Sequence, residues 1–255
     1  MLRLEISVGL AYFWPDTASR RVRLMSHNTD GYDESPVNPL PAVVMLLVLV
    51  MALVEAAFML GARGMVGGPE AIGWRLSAIQ NYGFSNRAFS WMLETGTLRG
   101  DFLLRFVTYP FVHGGFTHMI FAAVMTLAMG KFVGDRMGQL SVVTLFFGSC
   151  IFGAAVYGIV QPEGGGLIGA FPGVYGLIGG FTCLLWLRLG QLGEQQFRAF
   201  TLIGFLLAIQ LVFGLLFGAG SDWIADIAGF VSGFFLSFVL IPGGMRHLRE
   251  KIRRP

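Results

Sequence analysis

Six stretches of this chain, 41–60, 116–133, 140–160, 169–187, 199–218 and 223–241, are apolar almost throughout. Each is close to the ~20 residues a helix needs to cross a ~30 Å hydrocarbon core. In lipid, every backbone N–H and C=O must be satisfied within the chain, which leaves only helices and closed barrels. Barrel strands alternate apolar and polar positions over ~10 residues, whereas these runs are apolar on all sides. The expected fold class is therefore all-α, a polytopic membrane protein with six transmembrane helices. A hydrophobic fraction of 55%, a charged fraction of 13% and a mean hydropathy of +0.67 agree with that class.

Basic residues set the expected orientation. If the runs alternate in direction, the connections carrying Lys131 and Arg136, and then Arg188 and Arg198, share a side with the tail. That tail holds Arg246, Arg249, Lys251, Arg253 and Arg254. Lys and Arg accumulate on the cytoplasmic side, so both termini are expected there, with the cell membrane as the location. The opposite connections near Glu163 and Asp222 carry no Lys or Arg. The long segment 61–108 on that side holds Arg63, Arg75, Arg87, Arg99 and Arg105, but long loops obey the charge rule poorly. Basic charge spread this way suits attraction to membrane lipids, and no nucleic-acid partner is expected.

Residues 2–14 are apolar but broken by Arg3 and Glu5, and no small-residue cleavage pattern follows, unlike a signal peptide. Two readings of 1–24 stay open: an over-long start, with Met25 rather than Met1 initiating, or a basic interfacial segment around Arg20, Arg21 and Arg23. The domain plan is 1–39 as an N-terminal cytoplasmic segment, 40–241 as one membrane domain and 242–255 as a basic cytoplasmic tail. Cys150 and Cys183 fall within different apolar runs and read as small buried residues, not as a disulfide or metal ligands.

The fourth run opens Gly169-Ala170-Phe171-Pro172-Gly173-Val174-Tyr175-Gly176-Leu177-Ile178-Gly179. Before the second stands His113-Gly114-Gly115-Phe116-Thr117-His118, and the last contains Ala225-Asp226-Ile227-Ala228-Gly229-Phe230-Val231-Ser232-Gly233. With Leu104-Arg105 and Gly134-Asp135-Arg136-Met137-Gly138, these resemble the signatures of the rhomboid family of intramembrane serine proteases, over positions 104–241. The family's Gly-x-Ser-Gly-x-x-Tyr-x-Leu-x-Gly has Phe171 at its serine and Pro172 at its second glycine. Its Ala-His-x-x-Gly-x-x-x-Gly has Asp226 at the general-base histidine. The asparagine that helps form the oxyanion hole, four residues beyond the second histidine, is Ala122. His113, His118, Tyr175, Gly169, Gly229 and Gly233 keep the family's residues.

A serine–histidine dyad needs a hydroxyl within reach of an imidazole and donors aimed at the oxyanion. Phe171 has no nucleophilic atom, and no serine lies between Ser149 and Ser221. The histidines are His27, His113, His118 and His247, so no shift of register puts an imidazole on the sixth run. The resemblance thus implies a catalytically degenerate rhomboid, without cofactor or metal, that binds or escorts transmembrane client proteins as inactive relatives do. The competing reading is an active serine-type intramembrane endopeptidase, or an unconventional hydrolase using Thr117 or Ser149 with His118. A transporter or channel would need a charged or broken-helix pathway that Glu55 and Asp226 alone do not draw. His113, His118 and Asp226 make a two-histidine, one-carboxylate inventory, but no metal-specific spacing accompanies them.

The remaining polar residues carry structural expectations. His113 and His118 should be hydrogen-bonded. Glu55 should snorkel or pair with a loop arginine such as Arg63. Asp226 should either bond His118 or Tyr175, or stand solvated at a helix end beside Asp222. Gly229 and Gly233 should pack closely against a face formed by Gly169/Gly173 and Gly176/Gly180. Phe84, Phe89, Trp91, Met92 and Leu93, interleaved with Asn86, Arg87 and Glu94, should lie in the membrane interface, as a comparable loop does in the family. Phe171 should be a buried plug in the pocket between the fourth and sixth helices.

Overall fold

The computed structural model describes residues 39–217 and 220–241, with side chains 211 and 213–217 left aside. The expected N-terminal segment, with its alternative starts and His27, and the basic tail, with His247, fall outside the described residues. Helix α1 is Ala42–Ala62. A 3-10 turn, Pro69–Gly73, leads into α2, Trp74–Tyr82, and then β1, Phe84–Ser85. Two short helices follow, α3 at Asn86–Thr95 and α4 at Gly100–Thr108, and a 3-10 turn at Tyr109–Phe111. The bundle continues with α5, Phe116–Met137, and α6, Gln139–Val160. After β2, Gly166–Leu167, come α7, Phe171–Leu192, a 3-10 turn at Gln196–Phe200, α8, Thr201–Phe217, and α9, Trp223–Leu240.

Five of these, α1, α5, α6, α7 and α9, are long and apolar enough to cross a membrane. The sixth expected crossing is α8, which is apolar but has 17 residues, about 25 Å at 1.5 Å per residue. It continues directly from the Gln196–Phe200 turn. One departure from a purely helical plan is an antiparallel pair, Phe84 with Leu167 and Ser85 with Gly166. It joins the long loop to the connection that delivers α7.

Helix α7 is the axis of the bundle. In its most apolar window 61% of residues are buried, against 22% for the peripheral α1, and it packs against α5, α6 and α9. Glycine permits the closest contacts. A methyl group at Gly229 would meet the Pro172 carbonyl, and one at Gly233 the Gly176 carbonyl, so α9 lies backbone against backbone on α7. The matching face is in part the expected one, with Gly176 under Gly233 and Gly180 near Ser237 of α9. Gly173 turns toward Cys150 and Phe146 of α6, while Gly179 of α7 meets the α9 backbone at Phe230 and Phe234. The helical period explains this: Pro172, Gly176 and Gly179 share one stripe, and Gly173 and Gly180 the neighbouring one. Cys150 and Cys183 are buried free thiols.

The long loop is amphipathic in three dimensions. Ser85 caps α3 by accepting from the Ala88 N–H, and Gly96, at φ +64°, ends it in the left-handed region. Phe84, Met92 and Phe106 are buried, with Phe84, Phe89 and Phe106 packed edge to face or tilted. Trp91, Leu93, Leu98, Leu103 and Leu104 are exposed. Arg99 and Arg105 lie over the Phe102 ring at 4.8 and 5.5 Å, a cation–π arrangement suited to an interface. Buried Asn86 departs from the expected polar outer face. Its amide donates to the Gln161 carbonyl at 2.5 Å, anchoring α3 to the end of α6.

Candidate functional site

The site collects where α7 begins. The Tyr109 hydroxyl donates to the Cys150 carbonyl at 2.9 Å, and the Tyr109 carbonyl accepts from the Gly169 N–H at 3.0 Å. Gly169 has φ +89°, and a methyl there would run into His118 Nε2. Only glycine fits both the backbone and the ring. Helix α7 then starts at Phe171, with Pro172 in its first turn, where the missing N–H costs nothing.

Phe171 is half-buried, not the fully buried plug expected from its size. Its ring is stacked on His118, with centroids 5.2 Å apart and planes 12° apart. The imidazole takes one face of the ring, and the side chain also packs against the core. His118 Nδ1 accepts weakly from the Gly114 N–H at 3.4 Å, and its ring meets His113 edge to face at 5.2 Å.

His113 corrects the second expectation. It is 1% exposed, and neither ring nitrogen has a partner in the protein. Burial, with His118 and Arg75 adding to it, pushes its imidazole down to about 4, so it is neutral at pH 7. What holds the residue is its carbonyl, which accepts from Arg75 Nη1 at 2.7 Å. Arg75 also grips Glu55 with two bonds of 2.8 Å and lies over the Phe58 ring. The partner of Glu55 is therefore Arg75, not Arg63. A 1% exposed carboxylate needs a bidentate partner, which the long loop supplies from α2, and Arg63 lies beyond the helix end.

Ala122, one turn after His118 on α5, is a fully buried methyl whose carbonyl accepts from Thr126. Asp226, in the first turn of α9, is 4% exposed and so is not a solvated end residue. Its partner is neither His118 nor Tyr175. Gln210 of α8 reaches between the helices, donating from Nε2 to Asp226 Oδ2 at 2.8 Å and accepting at Oε1 from the Tyr175 hydroxyl at 3.3 Å. With Asp226 bound to Gln210, the carboxylate does not join the histidine pair as a metal set; among the described residues no group of three such ligands assembles. Asp222, one turn earlier, has its carboxyl raised by burial and drawn back by His118.

Ser149 bonds Ser232 at 2.9 Å between α6 and α9 and touches the Gly176 stripe. Gln210 is the residue that sequence reasoning missed. Its signal was its isolation, as the one amide in the apolar helix Thr201–Phe217.

A helical bundle built around a glycine-lined central helix, with an amphipathic loop and this motif set, defines a multi-pass membrane protein. The rhomboid domain model matches residues 101–243, and the chain belongs to the rhomboid family. It is similar to RHOMBOID-like protein 4 of Arabidopsis thaliana, 27% identical over 144 residues, 56% of this chain and 36% of that protein. Rhomboid-like protease 1 of Toxoplasma gondii is 26% identical over 51% of this chain and 44% of its own length. Inactive rhomboid protein 1 of Danio rerio is 28% identical over 52% of this chain and 15% of its own. The chain spans less than half the length of each of these relatives, whose names include both a protease and an inactive protein.

Proposed function

We propose that this chain is a rhomboid without serine-protease chemistry, a catalytically degenerate member that binds or escorts the transmembrane helices of client proteins. The observation that carries the reading is Phe171 lying flat against His118 where the family places its nucleophile. A hydrocarbon ring can neither attack a carbonyl nor leave room for one against the imidazole. Asp226 and Ala122 remove the base and one oxyanion donor in the same region. The frame that would present a helix remains: the α7–α9 packing, the interfacial loop and the pinned α7 start. The protein would sit in the cell membrane with both termini cytoplasmic, an orientation supported by Arg136, Arg188 and Arg198 at the connections on one side.

The test is reaction of the purified full chain with a fluorophosphonate probe, together with incubation against a model transmembrane substrate. No labelling and no cleavage are expected. Labelling above that of a heat-denatured control would overturn the reading in favour of an intramembrane endopeptidase.

A further inference from the structure

Gln210 is held between a donor and an acceptor. Its Nε2 donates to Asp226 Oδ2 and its Oε1 accepts from the Tyr175 hydroxyl, so Asp226 presents an acceptor and Tyr175 a donor to the two ends of one amide. Tyr175 and Asp226 are thus the hydrogen-bonding complement of a primary carboxamide, which donates and accepts from one planar group. An ammonium would leave the Tyr175 proton without an acceptor, and a carboxylate would offer no donor to Asp226 Oδ2.

The two halves of this bracket sit on the firmest part of the molecule. Tyr175 and Asp226 are 6% and 4% exposed, on helices locked backbone to backbone at Gly229 and Gly233. Gln210 sits on the peripheral helix α8, which buries Ile203 in the core with Leu202, Leu206 and Leu207 packed against it, and directs Phe205, Ile209 and Val212 outward. Among its described side chains, Gln210 alone hydrogen-bonds to another helix.

We infer that Tyr175 and Asp226 form a carboxamide-binding bracket, filled in this conformation by the chain's own Gln210 and opened when α8 moves aside for an Asn or Gln of a client transmembrane helix. This rests on the client-binding reading above and adds which helices are bound: those carrying an amide at the depth of the first turn of α9. A lone amide in a span has no water to bond, and the bracket satisfies both of its ends. Exchange of one carboxamide for another leaves the bond count at the bracket unchanged, so α8 acts as an intramolecular stand-in for the client.

The experiment reconstitutes the full chain in liposomes with a synthetic single-span polyleucine helix carrying a photoreactive group and one Gln, Leu or Lys at the matching depth. The Gln helix should crosslink at least threefold more than the Leu and Lys helices. Gln210→Leu, which vacates the bracket, should raise Gln-helix capture further, and adding Tyr175→Phe should remove the preference. If Gln210→Leu does not fold, Gln210→Asn, one methylene too short to span the bracket, serves in its place. Equal capture of the Gln and Leu helices overturns the bracket while client binding stands, and a Lys preference overturns its carboxamide chemistry. Capture of none of the three overturns both.

Discussion

Phe171 and His118 stack nearly parallel, their centroids 5.2 Å apart, so that a side chain from the start of α7 covers the imidazole of α5. The contact is between two flat rings, and the phenyl is only partly buried. Phe171→Ser therefore loses a partly buried side chain, not a fully buried one. The expected destabilisation is about 1–2 kcal/mol, below the ~3–5 kcal/mol of a fully buried phenylalanine. Thermal unfolding in detergent measures it, and an unchanged or raised midpoint would show that the stacked ring contributes nothing.

Glu55 and Arg75 form the buried ion pair that ties α1 to α2 and, through the His113 carbonyl, to the start of α5. Arg75→Met strands a carboxylate that is 1% exposed, at a cost of about 3 kcal/mol. Replacing both by methionine removes the stranded charge along with its partner. The double variant should be more stable than Arg75→Met alone, and a double-mutant cycle in one detergent decides it.

The neutral His113 gives stability a defined pH dependence. The unfolded chain protonates this imidazole near 6.5, whereas the folded chain does so only near 4. Between those values the unfolded state binds more protons. Stability is thus fully present above 6.5 and falls as pH drops through the window, with a limiting slope of about 1.4 kcal/mol per pH unit. Asp222, whose carboxyl is raised, works in the opposite sense, so the informative quantity is the difference between the parent chain and His113→Phe. That difference should shrink as pH falls through the window; parallel curves would mean His113 is solvated.

The bundle was readable because membrane spans are written in long uniform runs, and the motif glycines placed α9 on α7 before any geometry. What escaped the sequence was partner choice. Arg63 is nearer to Glu55 along the chain, but Arg75 is carried inward by α2, and helical direction is invisible to sequence distance. Asp226 could be paired on paper with His118 or Tyr175, because both belong to the recognised motifs. Gln210 belongs to no motif, and only folding brings α8 alongside α7 and α9. Phe171 was expected to bury itself, since hydrophobicity sets a preference for burial but not the position of the rim.

Close backbone approach predicts a sharp contrast between two glycines. A methyl at Gly233 collides with the Gly176 carbonyl, whereas one at Gly204 on α8 meets nothing within 4 Å. Gly233→Ala should destabilise by about 1–3 kcal/mol through forced separation of α7 and α9. Gly204→Ala should be neutral or slightly stabilising, because alanine is the better helix former. Steric-trap or thermal unfolding of the two variants side by side tests this, and equal effects would contradict the backbone contact.

Restoring the missing dyad tests how much of the site must change for chemistry to return. Phe171→Ser, Pro172→Gly and Asp226→His together supply the hydroxyl, the flexible second position and the imidazole. Two obstacles remain. Ala122 offers a buried methyl where an oxyanion donor is needed, and loss of one such donor alone lowers turnover by about 100–1,000-fold. Gln210 would still reach position 226 from α8 and compete for the new imidazole. The triple variant should therefore label weakly with a fluorophosphonate and cleave a model transmembrane substrate at the limit of detection. Adding Ala122→Asn and Gln210→Leu should raise the cleavage rate by at least tenfold. A triple variant already as fast as the fivefold one would mean that neither Ala122 nor Gln210 limits the site.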